Sequence, residues 1–297
     1  MATGRNKMDL GAIARHVSAL RRSRAELLHV NLHTPWSAQF AIAAGLLARV
    51  PVVLVEQVPF ATRSAMQRRI RRFLCERVAA HVAVGQRAAR RIEELIGLKA
   101  HSVIAIHNGV PDLALTPVPP PGQPPLIGAV GRLSTQKGFD VLLRAFAQLP
   151  TGTLVLVGDG PERGHLEQLA RSLGIAERVV ITGWVDQPRN YLPVFDVVAQ
   201  PSRFEGFPLA IVEAMLASRA IVTTPVDSIP EAIEDGVTGR LVEPDDPSGL
   251  ASAISELLAD ASLRTKLGNR ARERAVARFT ASAMARAYER LYASLLG

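Results

Sequence analysis

The chain has 297 residues, 48% of them hydrophobic and 21% charged, with a net charge of +8 and one cysteine. That length allows two ordinary domains, and that composition excludes a disordered polypeptide. A single cysteine, Cys75, excludes an intramolecular disulfide and fits a reducing cytosol, and Cys75 itself reads as a core or semi-buried thiol. No apolar run approaches the ~20 residues that a membrane span needs, and the opening residues lack the apolar core of a signal peptide. A soluble, cytoplasmic protein is expected. The charge is unevenly spread: residues 1–111 carry 17 Lys/Arg against 6 Asp/Glu, and residues 112–297 carry 18 against 21. A basic first half suggests a polyanionic partner or an anionic lipid surface.

Along the first half, short apolar runs at 27–31, 52–56, 81–84 and 103–106 read as buried strands. Amphipathic patterns predict helices over 9–23, 36–49, 61–79 and 86–97. Seven prolines within 111–125 cannot continue a helix or a central strand, and they predict a stiff linker over 112–125. The rhythm then resumes, with strands at 126–130, 153–157, 179–182, 197–200, 220–223 and 241–242. Helices are predicted over 137–149, 161–173, 208–218, 229–235 and 247–259. The final helix is marked by Tyr288, Leu291, Tyr292 and Leu295. Alternation of this kind implies parallel sheets with crossover helices. The expected fold class is α/β: two Rossmann-like domains facing a cleft, 1–111 and 126–280, with 281–297 as a helix packing back on the first.

Three strand-end loops of the second half carry candidate chemistry. Arg132 and Lys137 lie on one loop between Gly131 and Gly138, placed to clamp adjacent phosphates or simply to face water. Gly158 and Gly160 precede Pro161 in a second loop. Gly183, Trp184 and Val185 form a third, in which Trp184 either lines a nucleobase pocket or, more plainly, is buried. Ser202 to Met215 then sets Glu205 eight residues before Glu213. Gly206 allows close approach of a ligand, and Pro208 enters a helix whose free N–H groups attract an anion. Carboxylates for sugar hydroxyls beside amides for phosphate point to a sugar-nucleotide site.

The ordered set Asn108-Gly109-Val110, Gly131-Arg132-Leu133 with Lys137-Gly138, Val157 to Pro161, Pro201 to Ala214 and Gly236-Val237-Thr238-Gly239 resembles the family 4 retaining glycosyltransferases, which have the GT-B fold. The resemblance implies a retaining hexosyltransferase acting in cell-envelope biosynthesis. A nucleotide-diphosphate sugar is then its donor and an envelope polysaccharide, lipid-linked glycan or small molecule its acceptor. By that pattern Arg132, Lys137 and Glu205 are catalytic: the two cations neutralise the leaving diphosphate, and Glu205 faces the transferred sugar. Gly131, Gly183, Val185, Gly206, Phe207, Pro208 and Leu209 complete the donor site, with Glu213 on the ribose. No cofactor and no metal are implied, since two cations already serve the diphosphate and no metal-ligand cluster is visible.

Two departures stand out. The first half is shorter than the family's acceptor domain, as if one or two opening βα units were missing. Gln57 occupies the position where a histidine is common, and His33 is an alternative acceptor-side residue. These departures keep open a donor-binding remnant or regulatory subunit, with a sugar-nucleotide epimerase as a further alternative. Finally, Arg63, Arg68, Arg69, Arg71, Arg72 and Arg77 punctuate a helix over 63–78, with Met66, Ile70, Phe73, Leu74 and Val78 on the other side. Either the apolar side faces the core or the helix lies on an anionic membrane, making the protein peripheral at the inner face. Nucleic acid is not expected, because aromatic interleaving is lacking.

Overall fold

A computed structural model describes residues 10–32, 34 and 36–297. It separates into two compact units, one running up to His107 and taking in Ala285–Gly297, the other spanning Asn108–Met284.

In the first unit the order is α1 (Leu10–Ser23), β1 (Leu28–Leu32), α2 (Gln39–Ala48), β2 (Val52–Glu56), α3 (Ala65–Cys75), β3 (Ala80–Ala83), α4 (Gln86–Ile96) and β4 (Val103–Ala105). Its strands pair in parallel in the sequential order β1-β2-β3-β4. Val52, Val53, Leu54 and Val55 are fully buried, as a strand covered on both faces requires. Local signals set the helix ends. Ser64 caps α3 by accepting from the Gln67 N–H, and α4 stops at Gly97, whose φ of 81° suits glycine. The last helix, α11 (Ala281–Leu296), contributes Tyr288 and Tyr292 to this unit. The Tyr292 hydroxyl and His29 Nδ1 share a hydrogen bond of 2.5 Å, and the Tyr288 ring lies 5.3 Å from the imidazole.

The second unit has six parallel strands: β5 (Leu126–Val130), β6 (Thr153–Val157), β7 (Val179–Ile181), β8 (Val197–Gln200), β9 (Ala220–Thr223) and β10 (Arg240–Leu241). They lie in the order β10-β9-β8-β5-β6-β7, so the chain steps from β5 to β6 and β7, then crosses to the far side of β5 to lay down β8. Helices α5 (Phe139–Phe146), α6 (Arg163–Ser172), α7 (Leu209–Leu216), α8 (Ile229–Ala232), α9 (Pro247–Ala259) and α10 (Ala261–Arg278) connect or cover the strands. Phe139, Phe146, Leu142 and Leu154 are among the buried side chains of the main core. Gly128 in β5 lets the Phe195 ring approach so closely that a Cβ there would overlap it.

The strands and most helices fall where the hydrophobic pattern puts them; the differences have local causes. The helix expected over 137–149 is a 3-10 turn, Thr135–Lys137, followed by α5, because Gly138 between them has φ 65°. The helix expected over 61–79 is only Ala65–Cys75. Pro208 caps α7 from outside instead of opening it. Three elements went unpredicted: α10 and the 3-10 segments Ala176–Arg178 and Pro188–Val194. The core stripe of α10 includes Ala271 and Ala275 along with Leu267, and alanines leave only a faint hydrophobic periodicity. The proline-rich stretch lies against the second unit, where the Thr116 and Val118 N–H groups donate to Asn190.

Candidate functional site

In an open parallel sheet, loops leaving the carboxyl ends of two strands part where the strand order reverses, and ligands bind in the crevice. In the second unit that point lies between β5 and β8. The loop after β5 carries Gly131 to Gly138, and the loop after β8 carries Pro201 to Pro208.

The two loops are stitched together. A Cβ at Gly138 would collide with the Pro201 carbonyl oxygen, so only glycine fits there. The Arg203 N–H donates to the Gln136 carbonyl at 2.8 Å, and Gln136 Nε2 donates to the Phe204 carbonyl at 2.9 Å. The Arg203 guanidinium donates to the Thr135 carbonyl at 2.8 Å and to both Asp140 oxygens at 2.9 and 2.7 Å, and it reaches Asp245 at 2.7 Å. Burial pushes the Asp140 carboxyl up, but the Arg203 hydrogen bonds and charge outweigh it and hold the carboxyl below its usual range. A planar fork held at this many points keeps the 131–138 loop in one place.

Across this junction Lys137 Nζ donates to Glu205 Oε1 at 2.5 Å, and the Ser202 hydroxyl donates to the same oxygen at 2.8 Å. The Glu205 side chain is only 7% exposed. Its N–H is held by Asp227 at 2.7 Å, from a residue in the left-handed region with φ 43°. A cation and a carboxylate are therefore pinned side by side at the switch point. Arg132, on the same loop, is exposed and has no ion-pair partner among the described residues.

Glu213 sits on α7 and pairs with a residue that sequence reading did not single out. Arg189 Nε, in the 3-10 segment 188–194, donates to Glu213 Oε1 at 2.8 Å. Burial pushes the Glu213 carboxyl above its usual range, and the Arg189 charge and hydrogen bond counter this only in part. No hydrogen bond or ion pair joins Glu213 to Glu205 among the described residues.

The remaining candidates are distributed as follows. Gly183 is buried with φ 72° and bridges Gly158, bringing the second and third loops together. Val185 is half-buried, but Trp184 is 76% exposed, which overturns the plainer expectation of a buried indole. Gly206, Phe207 and Pro208 are buried, with the Phe207 ring 5.2 Å from Phe279, while Leu209 is exposed. Gln57 follows β2 in the first unit and is half-buried. His33 lies outside the described residues.

The fold also assembles a cluster that spacing did not announce. Glu56 at the end of β2 is paired by Arg71 of α3 and by His81 Nε2 of β3, the latter at 2.8 Å. All three are at least 95% buried, so Arg71 is not the surface cation that the helix pattern suggested. Glu56, Cys75 and His81 bring ligand-type atoms within 4.8 Å of one another, the kind of cluster the sequence alone did not reveal. Arg71 already neutralises the carboxylate. Burial, foremost, pushes the Cys75 thiol up to about 12, so it is a neutral core group, as expected.

Comparison with known proteins shows the family and the fold. A model described as glycosyl transferases group 1 matches residues 124–260, and one described as glycosyltransferase family 4 matches residues 2–112. The chain is 37% identical over 174 residues to the lipopolysaccharide core biosynthesis glycosyltransferase LpsE of Rhizobium meliloti, covering 59% of this chain and 51% of that protein. It is 33% identical over 165 residues to the alpha-D-kanosaminyltransferase of Streptomyces kanamyceticus, covering 54% and 43%. The chain thus spans about half the length of the curated relatives it matches. Among solved structures, Anabaena HepE in complex with UDP aligns with a TM-score of 0.86 and 25% identity, over 95% of this chain and 82% of that one. The two parallel-sheet units are those of a GT-B fold. The chain belongs to the family 4, or group 1, glycosyltransferases.

Proposed function

We propose that this chain transfers a sugar from a nucleotide-diphosphate donor to an envelope polysaccharide, lipid-linked glycan or small acceptor, with retention at the anomeric carbon. The observation that carries this reading is the Lys137–Glu205 pair spanning the switch point of the second unit. Cleaving the anomeric bond builds negative charge on the departing diphosphate and positive charge on the ring. Lys137, Arg132 and the amides leading into α7 stabilise the first as it develops, and Glu205 faces the sugar. Gly131, Gly183, Val185 and Gly206 to Leu209 line the donor, and Glu213 takes the ribose. With these cations at the diphosphate, the proposed reaction runs without a metal. Gln57, an amide that can donate a hydrogen bond but not act as acid or base, is placed on the acceptor side.

HepE has been solved with UDP, with UDP and glucose, and with UDP-glucose, which makes UDP the first nucleotide to test. Calorimetric titration of the full chain should show UDP binding that weakens by about 1.5–3 kcal/mol in Glu213→Ala, the range for hydrogen bonds to a charged group. Failure to bind any nucleoside diphosphate would end the donor reading. Unchanged affinity in Glu213→Ala would remove only the ribose assignment.

A membrane-borne acceptor is supported by α3. Its Met66, Ile70 and Phe73 recur at helical spacing, and all three are exposed, Met66 by 72% and Phe73 by 53%, while Leu74 and Cys75 face the core. Arg63, Arg68, Arg69, Arg72 and Arg77 surround them, all exposed. Apolar side chains bordered by guanidinium groups match an anionic bilayer surface. Among the described residues no helix is long and apolar enough to cross a membrane, so peripheral attachment through α3 at the inner face is the proposed mode. Vesicles containing phosphatidylglycerol should retain the protein, neutral phosphatidylcholine vesicles should not, and the M66S/I70S/F73S variant should lose retention. Equal retention of that variant would dismiss α3 as the contact.

A further inference from the structure

Glu213 sits within a closed chain of contacts that reaches well beyond its own helix. Arg189 Nε donates to Glu213 Oε1 at 2.8 Å, and Arg189 Nη1 donates to the Pro111 carbonyl at 3.3 Å. The next residue, Asp112, is gripped through both oxygens by the Arg272 guanidinium of α10 at 3.1 and 3.0 Å. Arg272 in turn donates to the Leu216 carbonyl at the end of α7, the helix that carries Glu213. The contacts therefore run from Glu213 through Arg189, Pro111, Asp112 and Arg272 back to α7. Arg189 has its second anchor on backbone, so its fork is held in place when it meets the carboxylate. It occupies Oε1 only; Oε2 has no hydrogen-bond partner among the described residues.

We propose that Arg189 is a positioning residue for the nucleotide, fixing one oxygen of Glu213 so that Oε2 is presented to the donor's ribose hydroxyls. This rests on the donor-binding role given to Glu213 above. The charged groups lining the same cavity as that carboxylate are Arg189 from the 3-10 segment and Asp112 from the proline-rich stretch, with Arg272 of α10 bound to Asp112. Arg272 is committed to Asp112, which leaves Arg189 as the cation that acts on Glu213. Burial already favours the protonated carboxyl, and Arg189 opposes it. Removing Arg189 lets the carboxyl take up a proton at higher pH than before, and a protonated carboxyl presents a poorer acceptor to a hydroxyl.

The test is a calorimetric titration of the full chain with UDP and with 2′,3′-dideoxy-UDP, repeated from about pH 5.5 to 8. Wild-type affinity for UDP, taken relative to dideoxy-UDP so that titration of the shared diphosphate cancels, sets the reference profile across that range. In Arg189→Gln that relative affinity should fall about tenfold or more below the wild-type profile at the acid end and approach it as pH rises, because the deprotonated carboxylate is the binding form. Dideoxy-UDP lacks the hydroxyls in question, so wild type and Arg189→Gln should bind it equally. Arg189→Lys keeps the charge and should restore the wild-type UDP profile; should the glutamine variant not fold, this variant and the dideoxy comparison decide. Equal losses of UDP and dideoxy-UDP in either variant, or a UDP loss independent of pH, would overturn the positioning role. Absence of UDP binding by wild type would instead bring down the donor assignment beneath it, and this proposal with it.

Discussion

Replacing Lys137 by methionine is expected to lower kcat by roughly 10²–10³-fold, the usual cost of deleting one group aimed at developing negative charge. The geometry sharpens this into a double readout. Lys137 is the cation on Glu205, whose side chain is almost fully buried. Its loss leaves a carboxylate with the Ser202 hydroxyl alone on Oε1. Breaking a buried pair by removing one partner costs about 3–5 kcal/mol, so Lys137→Met should also melt earlier. Adding Glu205→Gln removes the uncompensated charge and should restore much of the melting temperature while turnover stays low. Recovery of turnover together with stability would mean that Lys137 serves folding alone. A single variant within tenfold of wild-type kcat would refute its catalytic assignment.

The second large effect belongs to Glu56, far from the proposed chemistry in sequence and placed in the other unit. Glu56→Ala should cost about 3–5 kcal/mol in denaturant unfolding, because it strands Arg71 and His81 in the core without their carboxylate. Glu56 also predicts a pH dependence. Burial pushes its carboxyl up, but hydrogen bonds and charge from His81 and Arg71 outweigh this and hold it below the ordinary value of 4.5. A carboxyl depressed in the folded state stabilises fully above its unfolded pKa and loses that contribution as pH falls toward the folded one. Wild type should therefore lose stability on acidification below about pH 4.5, whereas Glu56→Gln should start lower and show a shallower decline over the same range. Parallel profiles for the two proteins would show that the cluster contributes nothing to acid stability.

Much of the fold was legible because its signals are local. Val52–Glu56, Leu126–Val130 and Thr153–Val157 are continuous apolar runs, and parallel strands covered on both faces require that pattern. The helix ends at Gly97 and Gly138 follow from left-handed backbone that glycine adopts readily. The loops bearing Lys137 and Glu205 were recognisable by their position after strands. Where reading failed, the deciding contact was distant. Arg71 looked like one more surface arginine until Glu56, fifteen residues away, claimed it. Met66, Ile70 and Phe73 have the spacing of a core stripe, yet nothing in that spacing says whether another element covers them. Trp184 is exposed for the same reason: hydrophobicity ranks what a side chain prefers, and neighbours decide what it gets.

From the sequence alone come the two α/β halves, the family motifs and the residue types suited to a diphosphate and its sugars, because periodicity and short spacings act within one or two turns of chain. Strand order is another matter. That β8 lies beside β5 and not beside β7 depends on how crossovers pack against a whole sheet, and only this reversal brings Lys137 within hydrogen-bond distance of Glu205, 68 residues later. The pairing of Glu213 with Arg189 and the burial of Arg71 on Glu56 were likewise decided by tertiary packing, because a charge finds its partner through space while a hydrophobic period is written along the chain.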